Sequence, residues 1–265
     1  MLNIYARSII DRKIGFISVA VSIVLYLMVI MAMYPSFNKP EFSQLFEAYP
    51  KAILSLMGGA GIANMFSPEG FVSVEFLQLW GISIGAGFLM AAATAIVAKE
   101  VDGRTMDLIL SQPVNRIEYL TARLAADLTM MVTIVVITGT SLYLGNKMFD
   151  IPLKTSGIVA AMVLLAGFYF MIECFCVFAG SVMERGKAIV TAVAVLIGSH
   201  LLNGLADLNE TIRGYQWLSV FKYYKPGEAL LSGNTPWQQV ILFLSIGAIF
   251  LIAAVVVFRE KDIPS

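Results

Sequence analysis

Few side chains in this sequence could do chemistry, and most of them sit where chemistry is costly. Glu173 stands inside the apolar run at about 157–183, about ten residues before its end. A carboxyl group there either contacts a cargo or an ion in the interior of a helix bundle, or packs as a carboxyl satisfied by a partner; ionisable groups inside spans are costly and often functional. His200 and Asn203, spaced i and i+3 in the next apolar run, share a helix face. They extend the same polar seam or make a structural hydrogen bond. Glu173, His200 and Asn203 are therefore the candidate cargo-pathway residues. Glu75 and Asp127 lie near the ends of apolar runs, where water is expected to reach them.

Catalytic and nucleotide chemistry find no footing. The nearest approach to a phosphate-binding loop is Gly180-Ser181-Val182-Met183-Glu184-Arg185-Gly186-Lys187-Ala188, where five residues rather than four separate the glycines and Ala188 replaces the metal-binding Ser or Thr. The sole histidine has no carboxylate near it in sequence, and no HExxH motif is present. Cys174 and Cys176 are one residue apart, a spacing that suits neither a zinc site nor a redox pair, so they read as small apolar packing residues. The expectation is a chain without catalytic residues, metal or cofactor of its own.

A polar stretch, residues 98–119, interrupts two long apolar runs with charges of both signs, a glycine and a proline. Arg104–Ser111 forms about two helical turns, with Met106, Ile109 and Leu110 on one face and Arg104, Asp107 and Ser111 on another. Asp102 or Gly103 caps its start, and Gln112-Pro113 stops it. Asn115, three residues before Glu118, resembles a capping box that starts the next helix. The result is a short helix across the ends of two spans, with apolar side chains available to a groove on another protein. A plain solvated linker is the simpler alternative.

The elements that must hold these residues are set by solvent. With 58% hydrophobic and 14% charged residues, the chain is more apolar than a globular domain, which runs near ~45–50% and ~25%. Apolar windows longer than ~18 residues mark spanning helices. Six are expected, at about 14–33, 71–97, 120–144, 157–183, 188–205 and 240–258, in one domain over residues 1–265. The first apolar run is too long for a signal-peptide core and lacks a cleavage pattern, so it reads as a retained span. Leu2, Tyr5, Ala6 and Ile9 recur at helical spacing opposite Asn3, Arg7 and Asp11, which predicts an N-terminal interfacial helix or a charged flank of the first span. Phe42, Leu45, Phe46 and Tyr49 predict an interfacial or re-entrant helix. Residues 206–239 carry Trp217, Phe221, Tyr223, Tyr224 and Trp237, aromatics that settle at headgroup depth. Gly81, Ser83, Gly85 and Gly87 allow close helix packing and form a weak candidate dimer face. Eleven of the 18 lysines and arginines fall on the side that holds both termini and residues 98–119. By the positive-inside bias that side is cytoplasmic.

Residues Glu100-x-x-Gly103-Arg104-Thr105-Met106-Asp107-x-Ile109-Leu110-Ser111-Gln112-Pro113-Val114-Asn115-Arg116 resemble the signature of type-2 ABC transporter permeases. That signature has a glutamate, a glycine with a nearby threonine, a leucine pair, then Pro-Val-Ser-Arg. Arg104 intervenes here between glycine and threonine, Ile109-Leu110 stands for the leucine pair, and Asn115 for the serine. Tyr223-Tyr224-Lys225-Pro226-Gly227-Glu228-Ala229-Leu230-Leu231 is similar to the aromatic-proline segment before the last span of such permeases. The resemblance implies an all-α permease subunit in the plasma membrane, dimeric with a like or related copy, seated on a separate ATP-binding cassette subunit that binds the ATP. Glu100, Gly103, Arg104, Thr105, Met106, Asp107, Ile109, Leu110 and Ser111 would form a cytoplasmic coupling helix docked on that subunit. Cargo would move outward, and few polar groups in the spans suit a hydrophobic or amphipathic one. Nothing calls for nucleic acid. The competing reading is a gradient-driven carrier or channel, for which repeat symmetry and more midmembrane charge would be expected.

Overall fold

The computed structural model describes residues 2–37, 67–80, 82–96, 116–206 and 208–260, and every regular element among them is helical. Six passes are long and apolar enough to cross a membrane: Leu2–Ser36, Pro68–Thr94, Ile117–Met148, Thr155–Val182, Arg185–Ala206 and Trp237–Glu260. The chain is an all-α membrane protein, as its composition requires. The coupling segment expected at residues 100–111 and the re-entrant helix expected after the first span lie outside the described residues.

The first pass is α1, Leu2–Phe37. Residues 2–13 are its first three turns, not a separate helix on the surface; the amphipathic pattern continues unbroken into the apolar one, with no residue between to stop the helix. Ile14, Ile17, Val21, Leu25 and Val29 are exposed along one face, while Ile23, Leu27, Met31 and Tyr34 are buried on another. Both faces are apolar, which is the mark of a helix whose surroundings are lipid on one side and protein on the other.

The second pass is not one α-helix. It opens as α2, Pro68–Val72, capped by Ser67, whose hydroxyl accepts from the Gly70 amide, with proline in the first turn. Two π-helical stretches follow, Ser73–Trp80 and Ile82–Ala86, before α3, Gly87–Thr94. Widened turns leave backbone carbonyls less well satisfied, and in lipid each must find a donor. Leu77 finds one: the buried Tyr224 hydroxyl donates to its carbonyl at 3.2 Å.

The remaining passes are α4, Arg116–Met148, α5, Thr155–Val182, α6, Arg185–Ala206, and, after the excursion, α9, Trp237–Glu260. Each extends a few residues beyond its apolar window, because a helix does not stop where hydrocarbon gives way to headgroups. α4 is already helical at Arg116, its first described residue, and the capping pattern expected at Asn115 lies outside the described residues. Between α4 and α5, buried Asn146 clasps Leu153, its amide donating to the carbonyl at 3.0 Å and its oxygen accepting from the Leu153 N–H at 3.1 Å. α5 and α6 are an antiparallel hairpin joined at Met183-Glu184, with Lys187 paired to Glu184 at 3.2 Å. The excursion holds α7, Glu210–Arg213, two short 3-10 turns at Gln216–Leu218 and Val220–Lys222, and α8, Pro226–Ser232, which ends on left-handed Gly233. Passes alternate in direction, so Leu2, Thr94, Arg116, Val182, Arg185 and Glu260 mark one end of the bundle, called here the near end, and the excursion lies at the far end.

α5 is the axis. It touches α3, α4, α6, α8 and α9, and its glycines let backbones approach. A Cβ on Gly157 would run into the Leu230 carbonyl of α8, and one on Gly180 would stand 2.6 Å from the Thr94 carbonyl oxygen of α3. Likewise the Tyr169 ring of α5 occupies the place of a Gly85 side chain. Gly85 therefore packs within the chain, which removes it from the expected dimer face; nothing lies within 4 Å of a Cβ on Gly87.

Candidate functional site

A charged cluster lies inside the bundle, towards the near end. Arg12 of α1 is ion-paired to Asp127 of α4 through Oδ1. Asp127 is buried, not reached by water as its position near a span end predicted. The reason is α1, whose first turns cover it. Arg123, one helical turn before Asp127, lies over the Tyr119 ring at 4.9 Å, and Tyr5 donates to Thr129 at 3.0 Å. The Arg12 and Tyr5 contacts fasten the first turns of α1 to the first half of α4.

Glu173 of α5 belongs to the same cluster. It is fully buried and within electrostatic reach of Asp127 and Arg12. Neither of its carboxyl oxygens has a hydrogen-bond partner among the described residues. It stands nine residues before the end of α5 at Val182, nearer the near end than the far one.

His200 and Asn203 fall elsewhere. The His200 ring packs edge-on against Phe221 at 5.0 Å, and Asn203 accepts from Gln216 at 3.3 Å. Between them Ser219 donates to the Ser199 carbonyl at 2.7 Å, and the Val220 amide donates to the Ser199 hydroxyl at 2.9 Å. The two residues thus sit where α6 is stitched to the far-end excursion. The structure does not bring them to Glu173.

That excursion also packs inward. Tyr224 stacks on Phe168 of α5 with centroids 4.3 Å apart. Burial, with Tyr169 nearby, pushes its phenol well above the ordinary value, so it keeps its proton and remains a donor to Leu77. Beside it lies a cavity of about 520 Å³ lined by polar groups that include Ser73, Gln78, Asn203, Gln216 and Lys222.

Glu100 and residues 103–111 lie outside the described residues, but the ends that hold the segment are described. Ile96 on one side and Tyr119 and Leu120 on the other are buried. α3 is seated on α5 through Thr94 and Gly180, and α4 is tied to α1 through Asp127. What sequence reasoning missed is this tie. Arg12 reads as a flank charge and Arg123 as a loop charge; the i, i+4 spacing of Arg123 and Asp127 on one helix face was the available signal.

Gly81-Ile82-Ser83-Ile84-Gly85 has the spacing of a hydrolase nucleophile elbow. That motif needs a sharp strand-to-helix turn, whereas Ser83 lies in the π-helical stretch of a membrane pass. The spacing is a coincidence of small residues. No group of three or more metal-ligating side chains forms among the described residues.

Six alternating passes, with a buried ionic tie between them and a segment of 19 residues, 97–115, between the described ends of α3 and α4, define a multi-pass membrane protein. The chain belongs to the family described as ABC-2 family transporter protein, which it matches over residues 3–263. Membership makes it the permease of an ABC transporter, a class that works with an ATP-binding cassette partner. No curated protein matches its sequence.

Proposed function

We propose that this chain is the non-catalytic permease subunit of an ATP-driven exporter, paired with a second permease copy in the plasma membrane with both termini cytoplasmic. A separate ATP-binding subunit docks on residues 100–111, with Met106, Ile109 and Leu110 entering its groove and Glu100 bracing the segment. The observation that carries this reading is the family match, which spans nearly the whole chain. The anchoring of the segment supports it: a push on residues 100–111 reaches α3 and α4, whose ends are buried. From there it reaches α5 through Thr94 and α1 through Arg12. A lever needs such fixed ends. Cargo in this reading is hydrophobic or amphipathic.

The test is co-purification. Tagged chain extracted from its own cells in mild detergent is expected to bring down an ATPase subunit, and Leu110→Asp is expected to abolish that association while the permease itself still folds and inserts. If no ATPase accompanies the wild type, or Leu110→Asp leaves the complex intact, docking on residues 100–111 is wrong.

A further inference from the structure

We propose that Glu173 is a proton-binding site inside the membrane, holding an exchangeable proton while Arg12 is engaged by Asp127. The inference stands apart from where the ATPase docks.

A carboxyl group buried in a bundle has four ways to be tolerated: a cation of its own, a cage of hydrogen-bond donors, a bound metal ion, or a proton. Arg12 is already paired with Asp127 Oδ1. No donor reaches either oxygen of Glu173 among the described residues. No metal-ligating group of three forms among those residues either. Asp127 adds a like charge nearby, which further disfavours a second carboxylate. A proton is the occupant these facts favour.

Among the described residues few other ionisable groups lie on the elements around it. From α1 the group facing Glu173 is Arg12, and from α4 it is Asp127, with Arg123 a turn away. Its own helix adds the buried thiols Cys174 and Cys176 and, one turn before Glu173, the buried Tyr169. α3 carries no ionisable side chain. Those of α6 and α9 lie at their ends or, for His200, against the far-end excursion, and α8 has only Glu228, at the far end. Asp127 Oδ2, buried and not used by Arg12, is an acceptor of the right chemistry for the proton in the same cluster. The cluster also has an edge: the Arg12 side chain, in the near-end turns of α1, keeps 16% of its exposure. Binding is a simple acid-base step. Glu173 carboxylate takes one proton from water and becomes a neutral carboxylic acid, and it returns the proton to water when it ionises.

One further consequence sets the test. If Asp127 loses its charge, the like-charge repulsion disappears and Arg12 is released to serve Glu173. Both changes favour the ionised form, so the proton should leave.

Infrared spectroscopy of the purified permease in lipid nanodiscs reads this directly. At neutral pH the wild type should show the carbonyl stretch of a protonated carboxylic acid, shifted by ¹³C-glutamate labelling but not by ¹³C-aspartate. The band should vanish in Glu173→Gln, persist in Glu75→Gln, and be lost at neutral pH in Asp127→Asn. The labelling arm needs no variant, so a misfolded mutant does not stop the test. Absence of a glutamate band in the wild type, a band that survives Glu173→Gln or Asp127→Asn, or a carboxylate band that responds to sodium rather than pH would each overturn the proposal.

Discussion

At the scale of single residues, the pair Arg12–Asp127 shows how a membrane interior tolerates charge. Each group alone would be a burden to the bundle; together they join α1 to α4 at a fixed depth. Breaking such a pair from one side is costlier than deleting it, because one charge stays buried without its partner. Arg12→Leu is therefore expected to destabilise the protein by about 3–5 kcal/mol, read as a lowered unfolding midpoint of the purified protein in detergent. The double replacement Arg12→Met with Asp127→Leu should recover most of that loss. A double variant as unstable as the single one would mean that the two side chains do not act as a unit. Tyr224 solves a related problem without charge. Its hydroxyl supplies the Leu77 carbonyl inside the second pass, and because burial holds the phenol protonated, rising pH does not remove that donor until well beyond the ordinary tyrosine range.

At the scale of elements, α5 is held by surfaces where backbone meets backbone. Gly157→Val forces a side chain into the Leu230 carbonyl and is expected to cost about 1–3 kcal/mol, the usual range for overpacking. Gly186→Ala, with open space around it, should cost nothing. Thermal unfolding of the two variants side by side checks the contrast, and equal losses would deny α5 its special packing. Much of this level was legible in the sequence. All six passes and the α5–α6 hairpin follow from apolar windows and a four-residue charged turn, because hydrocarbon imposes length and polarity on any span. The π-helical stretches were not legible, since residues 71–97 are mostly apolar and a nearly uniform pattern does not distinguish an i+4 from an i+5 repeat. The depth of Asp127 was hidden for another reason. Its cover comes from α1, more than a hundred residues earlier, and no local pattern reports such a pairing. Glu173 was visible as an anomaly, but its neighbours were not; His200 and Asn203, polar residues of the next apolar run, turned out to be remote from it in the bundle.

At the scale of the whole molecule, the proposed orientation, supported by the bias of Lys and Arg, is checkable. In a background with Cys174 and Cys176 replaced by alanine, Asn234→Cys should react with a membrane-impermeant maleimide on intact cells, while Glu184→Cys should react only after the cells are opened. The reverse pattern would turn the proposed topology over and place residues 97–115 away from any cytoplasmic motor. The central position of α5 also sets a schedule for assembly. Its most extensive partner among the passes is α9, the last one synthesised, so at the moment α5 leaves the ribosome the helix that will cover much of its surface does not yet exist. Until α9 arrives, the flank of α5 that meets it, around Gly167, must wait beside the insertion machinery or in lipid. The permease is thus completed from its centre outward, and a nascent chain stalled before Trp237 would leave that flank of its own core facing the membrane.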